Sequence, residues 1–206
     1  MSYLNLREKL SAMDSKEHIE KFLIFNLSLV LAGIKPAATI TINKKNNNLF
    51  NSWKQYGREF VNEISLKSIV LRDNNNALIL FIYDEIILSQ KLNKNDTIEF
   101  LRKINYPEKF DVDIYVQMLE KRYEAYHCPH ELGLFLGIPY KDVKDFMECS
   151  EKKCLLCGYW KVYNDFDKAE VLFKKYDMVK EYTINKIANG MISSDLIKNI
   201  KKCIDR

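Results

Sequence analysis

Ile19, Phe22, Leu23, Asn26, Leu27 and Val30 recur at helical spacing behind a capping residue, Asp14 or Ser15, and predict a first helix that stops near Ala32. Gly33 stands where a residue after a helix end belongs, and Pro36 prevents continuation. "ATITINKK" (38–45) alternates as a strand does and runs into an Asn-rich loop. "LFNSWKQYGREFVNEI" sets Leu49, Trp53, Tyr56 and Phe60 on one helical face. In "KSIVLRDNNNALILFIYD" two β-branched, apolar runs flank "DNNN", which predicts a hairpin. Helical spacing returns over Asp96 to Ile104 and Asp111 to Tyr126. "LCGYWKVY" (156–163) reads as a strand, with Cys157, Tyr159, Lys161 and Tyr163 on one face and Trp160 on the other. A long amphipathic helix then starts at Asn164 or Asp165 and stops at Gly190, and a short one begins at Ser193 or Ser194. Strands are few and helices many. The expected fold is α+β, a small, largely antiparallel sheet covered by several helices, in a single domain over 1–206.

One stretch, "HCPHELGLFLGIPYKDVKDF" (127–146), carries an unusual density of His, Cys, Glu, Pro and Gly around an apolar centre. Its spacing fits two short helices meeting at Gly137 and Pro139, an αα corner over 129–148. Leu132, Phe135, Leu136, Ile138, Val143 and Phe146 are expected to be buried. The same spacing fits a helix-turn-helix, which would read DNA through Tyr140, Lys141, Asp142, Lys144 and Asp145. There the two carboxylates cancel the two lysines and face phosphates unfavourably, so DNA binding ranks last.

Composition narrows the classes. Hydrophobic residues make up 47% of the 206, enough for a packed core, and 32 basic residues against 28 acidic ones leave a net charge of +4. That excess is too small for a dedicated nucleic-acid domain. The longest apolar run, 22–34, is interrupted by Asn26 and Ser28 and is too short to span a membrane. "MSYLNLREKL" lacks the order of a signal peptide, and five Cys, an odd number, suit reduced thiols. A cytoplasmic protein is expected. Cys149, Cys154 and Cys157 have the C-x4-C-x2-C spacing of a plant-type iron–sulfur loop, but "SEKK" and "LL" between them are not the small residues such loops use. Zinc on Cys154, Cys157 and either Cys128 or His130 is an alternative of similar rank. No metal ligand is assigned.

"LAGIKPA" (31–37), "CPHELGLFLGIPYKDVKDF" (128–146) and "CGYWKVYNDFDKAEVLFKKY" (157–176) together resemble the signature segments of an uncharacterised bacterial family, a domain of unknown function found mainly in Gram-positive anaerobes. The family pattern has Phe before the Pro where this chain has Cys128. Cys149 and Cys154 fall outside the pattern and Cys157 inside it. The resemblance implies a cytoplasmic single-domain protein and no reaction.

The signature positions that carry chemistry are Lys35, His130, Glu131, Cys157, Trp160, Lys161 and Tyr163. Each also has a structural reading, such as Glu131 complementing a helix dipole. As a site, His130, Cys157 and Glu131 would be the catalytic candidates, and Lys35, Lys161, Trp160 and Tyr163 would bind ligand. Adjacent residues on a helix point about 100° apart, so His130 pairs better with Cys157 than with Glu131. The first functional expectation is a protein binding a small anionic ligand or cofactor, with enzyme activity open. A metal- or redox-linked accessory protein using Cys157 and His130 is the second. A non-catalytic interaction module is the third. The sequence names no cofactor and sets no oligomeric state.

Overall fold

The computed structural model describes residues 9–10, 13–148 and 151–203. They fall into two compact units, a sheet unit drawn from residues 1–84 and 177–206 and a corner unit from 85–176. The fold is α+β.

In the sheet unit, α1 (Ser15–Leu31) begins where the Asp14 carboxylate accepts from the Lys16 and Glu17 amides, both at 2.9 Å. It ends at Gly33, whose φ of 72° only glycine adopts freely. Its buried face, including Ile19, Leu23, Ile24 and Leu27, packs on β1 (Ala37–Asn43). Helices α2 (Asn47–Ser52) and α3 (Arg58–Glu63) are joined by a π turn, Trp53–Gly57. A Cβ on Gly57 would lie 2.2 Å from the Trp53 indole, so no larger residue fits there without displacing that ring. Strands β2 (Lys67–Asp73) and β3 (Ala77–Tyr83) form the hairpin that the "DNNN" turn predicts, with Asn74 Oδ1 accepting from the Asn76 and Ala77 amides. The sheet is antiparallel in the order β1-β3-β2, with Ala37 opposite Tyr83 and a bulge between Val70 and Arg72. Central β3 buries Leu78, Leu80, Phe81, Ile82 and Tyr83 almost without alternation, which marks a strand covered on both faces.

The corner unit opens with α4 (Glu85–Leu92), which the periodicity analysis does not resolve because its apolar residues follow β3 directly. After it come α5 (Asn95–Lys103) and α6 (Val112–Tyr126), the latter capped by Asp111, which accepts from the Ile114 amide at 3.0 Å. Tyr106, Phe110, Tyr115 and Phe135 form an aromatic cluster, and Tyr115 donates its hydroxyl to the Pro107 carbonyl at 2.9 Å. The αα corner is present as α7 (Leu132–Phe135) and α8 (Tyr140–Glu148).

Two expectations need correction. The stretch 156–163 is a hairpin rather than one strand: β4 (Leu156–Cys157) pairs antiparallel with β5 (Lys161–Val162). The chain turns because Gly158 lies so close to the Phe173 ring that a Cβ would come within 2.5 Å of it. Phe146 is 46% exposed rather than buried, and Leu136 and Ile138 are half-buried. Helix α9 (Phe166–Ala188) contributes to both units, and α10 (Ser193–Lys201) packs on α1.

Candidate functional site

The corner is joined to the hairpin by one carboxylate. Asp142, in the first turn of α8 and 3% exposed, accepts four hydrogen bonds. Trp160 Nε1 donates to Oδ2 at 2.8 Å, and the Tyr163 amide, the Asn164 amide and Asn164 Nδ2 donate to Oδ1 at 3.0, 3.0 and 2.9 Å. Asp145, one turn on, takes Lys152 and Asn164 Nδ2, and these two partners hold its carboxyl below the ordinary range. Sequence reasoning sets Asp142 among residues facing solvent on a recognition helix. The structure corrects this, because a carboxylate that saturates the backbone of 163–164 is turned inward. The "DV" of the signature is therefore a joint, with Val143 buried beside Asp142.

Glu131 is a second such joint. It is 1% exposed and paired with Arg122 of α6, whose guanidinium also donates to the Ile104 carbonyl at 3.2 Å. Burial, followed by the Glu131 carboxylate, keeps the neighbouring Tyr106 hydroxyl well above the ordinary phenol pKa.

His130 diverges from Glu131. It precedes α7, in a tight turn where the Leu132, Gly133 and Leu134 amides bond three residues back, and its side chain is exposed. Its ring meets Phe146 edge-on at 5.1 Å between centroids, and Lys161 Nζ lies 5.7 Å from the same Phe146 ring. His130, Phe146, Trp160 and Lys161 line one cavity of about 360 Å³, floored by Leu132, Leu136, Ile138 and Val143. Trp160 joins Lys161 here, although strict strand alternation would separate them. The turn at 158–160 breaks that alternation. Trp160 is held on its far edge by Asp142 and packs edge-on against Phe173 at 4.5 Å. Lys161 has no carboxylate partner among the described residues. A second cavity, about 390 Å³, shares Ile138, Asp142 and Trp160 with the first and is ringed by Lys91, Lys94, Lys141 and Lys168.

The other sequence candidates lie elsewhere. Cys157 is exposed and lines neither cavity. Its thiol is held above the ordinary pKa, first by its hydrogen bond with Cys154 and then by burial, while the Lys161 ammonium pulls it down. Tyr163 is buried and donates its amide to Asp142. Lys35 belongs to the sheet unit, where burial and the Lys180 ammonium push its pKa down to about 8. Cys149 lies outside the described residues. Among the described residues, no three His, Cys, Asp or Glu side chains converge as metal ligands would, and no helix is long and apolar enough to cross a membrane.

The segments that carry these joints and the His130–Lys161 cavity fall within the stretch 23–197, which matches the family described as "Protein of unknown function (DUF3793)". The chain belongs to the DUF3793 family. Comparison with curated proteins and with solved structures finds no match in either. In this DUF3793 protein the signature segments divide by role. Asp142 and Glu131 hold the corner together, and His130, Trp160 and Lys161 face its cavity.

Proposed function

We propose that this DUF3793 protein binds a small molecule with a flat apolar body and one anionic group in the cavity between His130 and Lys161. The observation that carries this reading is that an unpaired ammonium and an imidazole flank one exposed aromatic ring at the mouth of an apolar cavity. About 360 Å³ is within the range of small-molecule sites, which are mostly apolar with a few placed polar groups. The Leu132, Leu136, Ile138 and Val143 side chains supply the apolar wall, and Trp160 and Phe146 supply ring faces. Lys161 neutralises the anion, and His130 donates or accepts a hydrogen bond at the rim. Lys35, in the sheet unit, takes no part in this reading. The reading assigns binding only, with no reaction.

The test uses 8-anilinonaphthalene-1-sulfonate, an aromatic anion that fluoresces in apolar surroundings, with competition by benzoate and by neutral benzamide. The expected result is saturable binding of one probe per chain, displaced by benzoate at least about 10-fold better than by benzamide, since a partly exposed charge pair contributes on the order of 1 kcal/mol. Lys161→Met removes that preference and Phe146→Ala weakens both competitors. Probe binding that ignores both substitutions would sink the proposal.

A further inference from the structure

We propose that Cys154 and Cys157 form a reversible dithiol–disulfide couple on the β4–β5 hairpin, a site that exchanges with small disulfides such as glutathione disulfide. This goes beyond the ligand reading and stands without it, because neither sulfur lines the His130–Lys161 cavity.

Four observations carry it. The two Sγ atoms are 2.8 Å apart, and Cys154 Sγ also lies 3.0 Å from the Leu156 carbonyl oxygen. Cys157 is exposed and Cys154 half-buried, so one thiol meets an incoming disulfide and the other waits beside it. The pair is built on a fixed frame: Cys157 pairs with Lys161 across the hairpin, and the Gly158 turn is pressed on the Phe173 ring. Held neighbours of this kind close a ring far faster than free thiols meet. Finally, zinc ligation at about 2.3 Å in tetrahedral geometry sets two sulfurs about 3.8 Å apart. The pair is much closer than that, and no third ligand joins it among the described residues.

The exchange runs in two steps. The Cys157 thiolate attacks one sulfur of glutathione disulfide, breaking its S–S bond. One glutathione thiolate leaves and Cys157 is held in a mixed disulfide. The Cys154 thiolate then attacks the Cys157 sulfur, forming the Cys154–Cys157 bond and releasing the second glutathione thiolate. The protein loses two electrons to glutathione disulfide, and the two thiol protons end on the two glutathione molecules. Excess glutathione reverses both steps.

The whole reduced chain is equilibrated without oxygen at rising ratios of glutathione disulfide to glutathione, quenched with N-ethylmaleimide and digested with trypsin. Lys153 and Lys161 bound a single peptide, 154–161, that contains both thiols. The expected result is conversion of this peptide from a doubly alkylated form to an unalkylated form lighter by two hydrogens than the dithiol, reversed by added glutathione. In Cys154→Ser the same conditions leave a glutathione adduct on Cys157 at least about 10-fold more abundant than in the wild type, because the second step is lost. Three results would overturn the couple. They are a wild-type Cys157 that stays singly glutathionylated, closure onto Cys128, Cys149 or Cys203, and stoichiometric zinc on the reduced protein that disappears in Cys154→Ser and Cys157→Ser.

Discussion

In the sheet unit, β3 lies between two seven-residue strands and buries Leu78, Leu80, Phe81 and Ile82. In the corner unit the paired strands are two residues long, α7 has four residues, and the joints are carboxylates. The first region is held by apolar area, which is non-directional and tolerates rearrangement. The second buries little per element and depends on Asp142 and Glu131 meeting their donors, an arrangement that fails abruptly when one partner goes. A surface with ring faces and unpaired cations has formed on the second kind of scaffold.

The largest test of this contrast is Asp142→Ala. It leaves the Tyr163 and Asn164 amides and Trp160 Nε1 without their acceptor, and is expected to cost about 4–5 kcal/mol. Hydrogen exchange should show lost protection across 140–164 with β1–β3 protected as before. Equal loss in both regions would erase the distinction drawn above. Glu131→Gln follows, at about 3 kcal/mol in chemical denaturation, because Arg122 loses its buried carboxylate. The double variant Glu131→Gln, Arg122→Met should be more stable than Glu131→Gln alone. If it is less stable, the pair is not what binds α6 to the corner.

Gly158→Ala should cost about 2 kcal/mol by overpacking against Phe173, and Phe173→Leu in that background should restore roughly half of it. An additive loss in the double variant would show that the hairpin turn is not seated on that ring. The smallest effect belongs to the sheet unit and to pH. Lys35 titrates at about 8 in the folded chain against an ordinary 10.5, so between these values the unfolded chain holds the extra proton. Stability from this residue therefore rises with pH across that window, by about 1 kcal/mol between pH 7 and 9. Lys35→Met should lose that rise, and a pH profile parallel to the wild type would place the titration elsewhere.

The same contrast governs what could be read from sequence. The β2–β3 hairpin is legible because alternation and the "DNNN" turn agree, and α1 because Asp14 and Gly33 mark its ends. Helix α4 is not, since "EIIL" continues an apolar strand without punctuation. The hairpin at 156–162 carries one signal, Gly158, but its reason is the Phe173 ring, fifteen residues on. Asp142 stays hidden because periodicity places a charged residue outside, and only its partners, 18 to 22 residues away, turn it inward. Candidate residues were legible as chemistry. Their grouping was not: Trp160 with Lys161 at one cavity and Cys154 beside Cys157 follow from the turn between them.

The π turn at Trp53–Gly57 has a bearing on how this chain can change in length. A π turn is an α-helix that has accepted one additional residue without breaking. Deleting exposed Gln55 would make a continuous α-helix from Asn47 to Glu63 and rotate everything after it by about 100°, one residue's share of a turn. Phe60 and Val61, buried today, would swing away from the core. The segment is thus locked in length although its outer face is free to vary in composition, so indels should be purged there while substitutions at Lys54 and Gln55 drift.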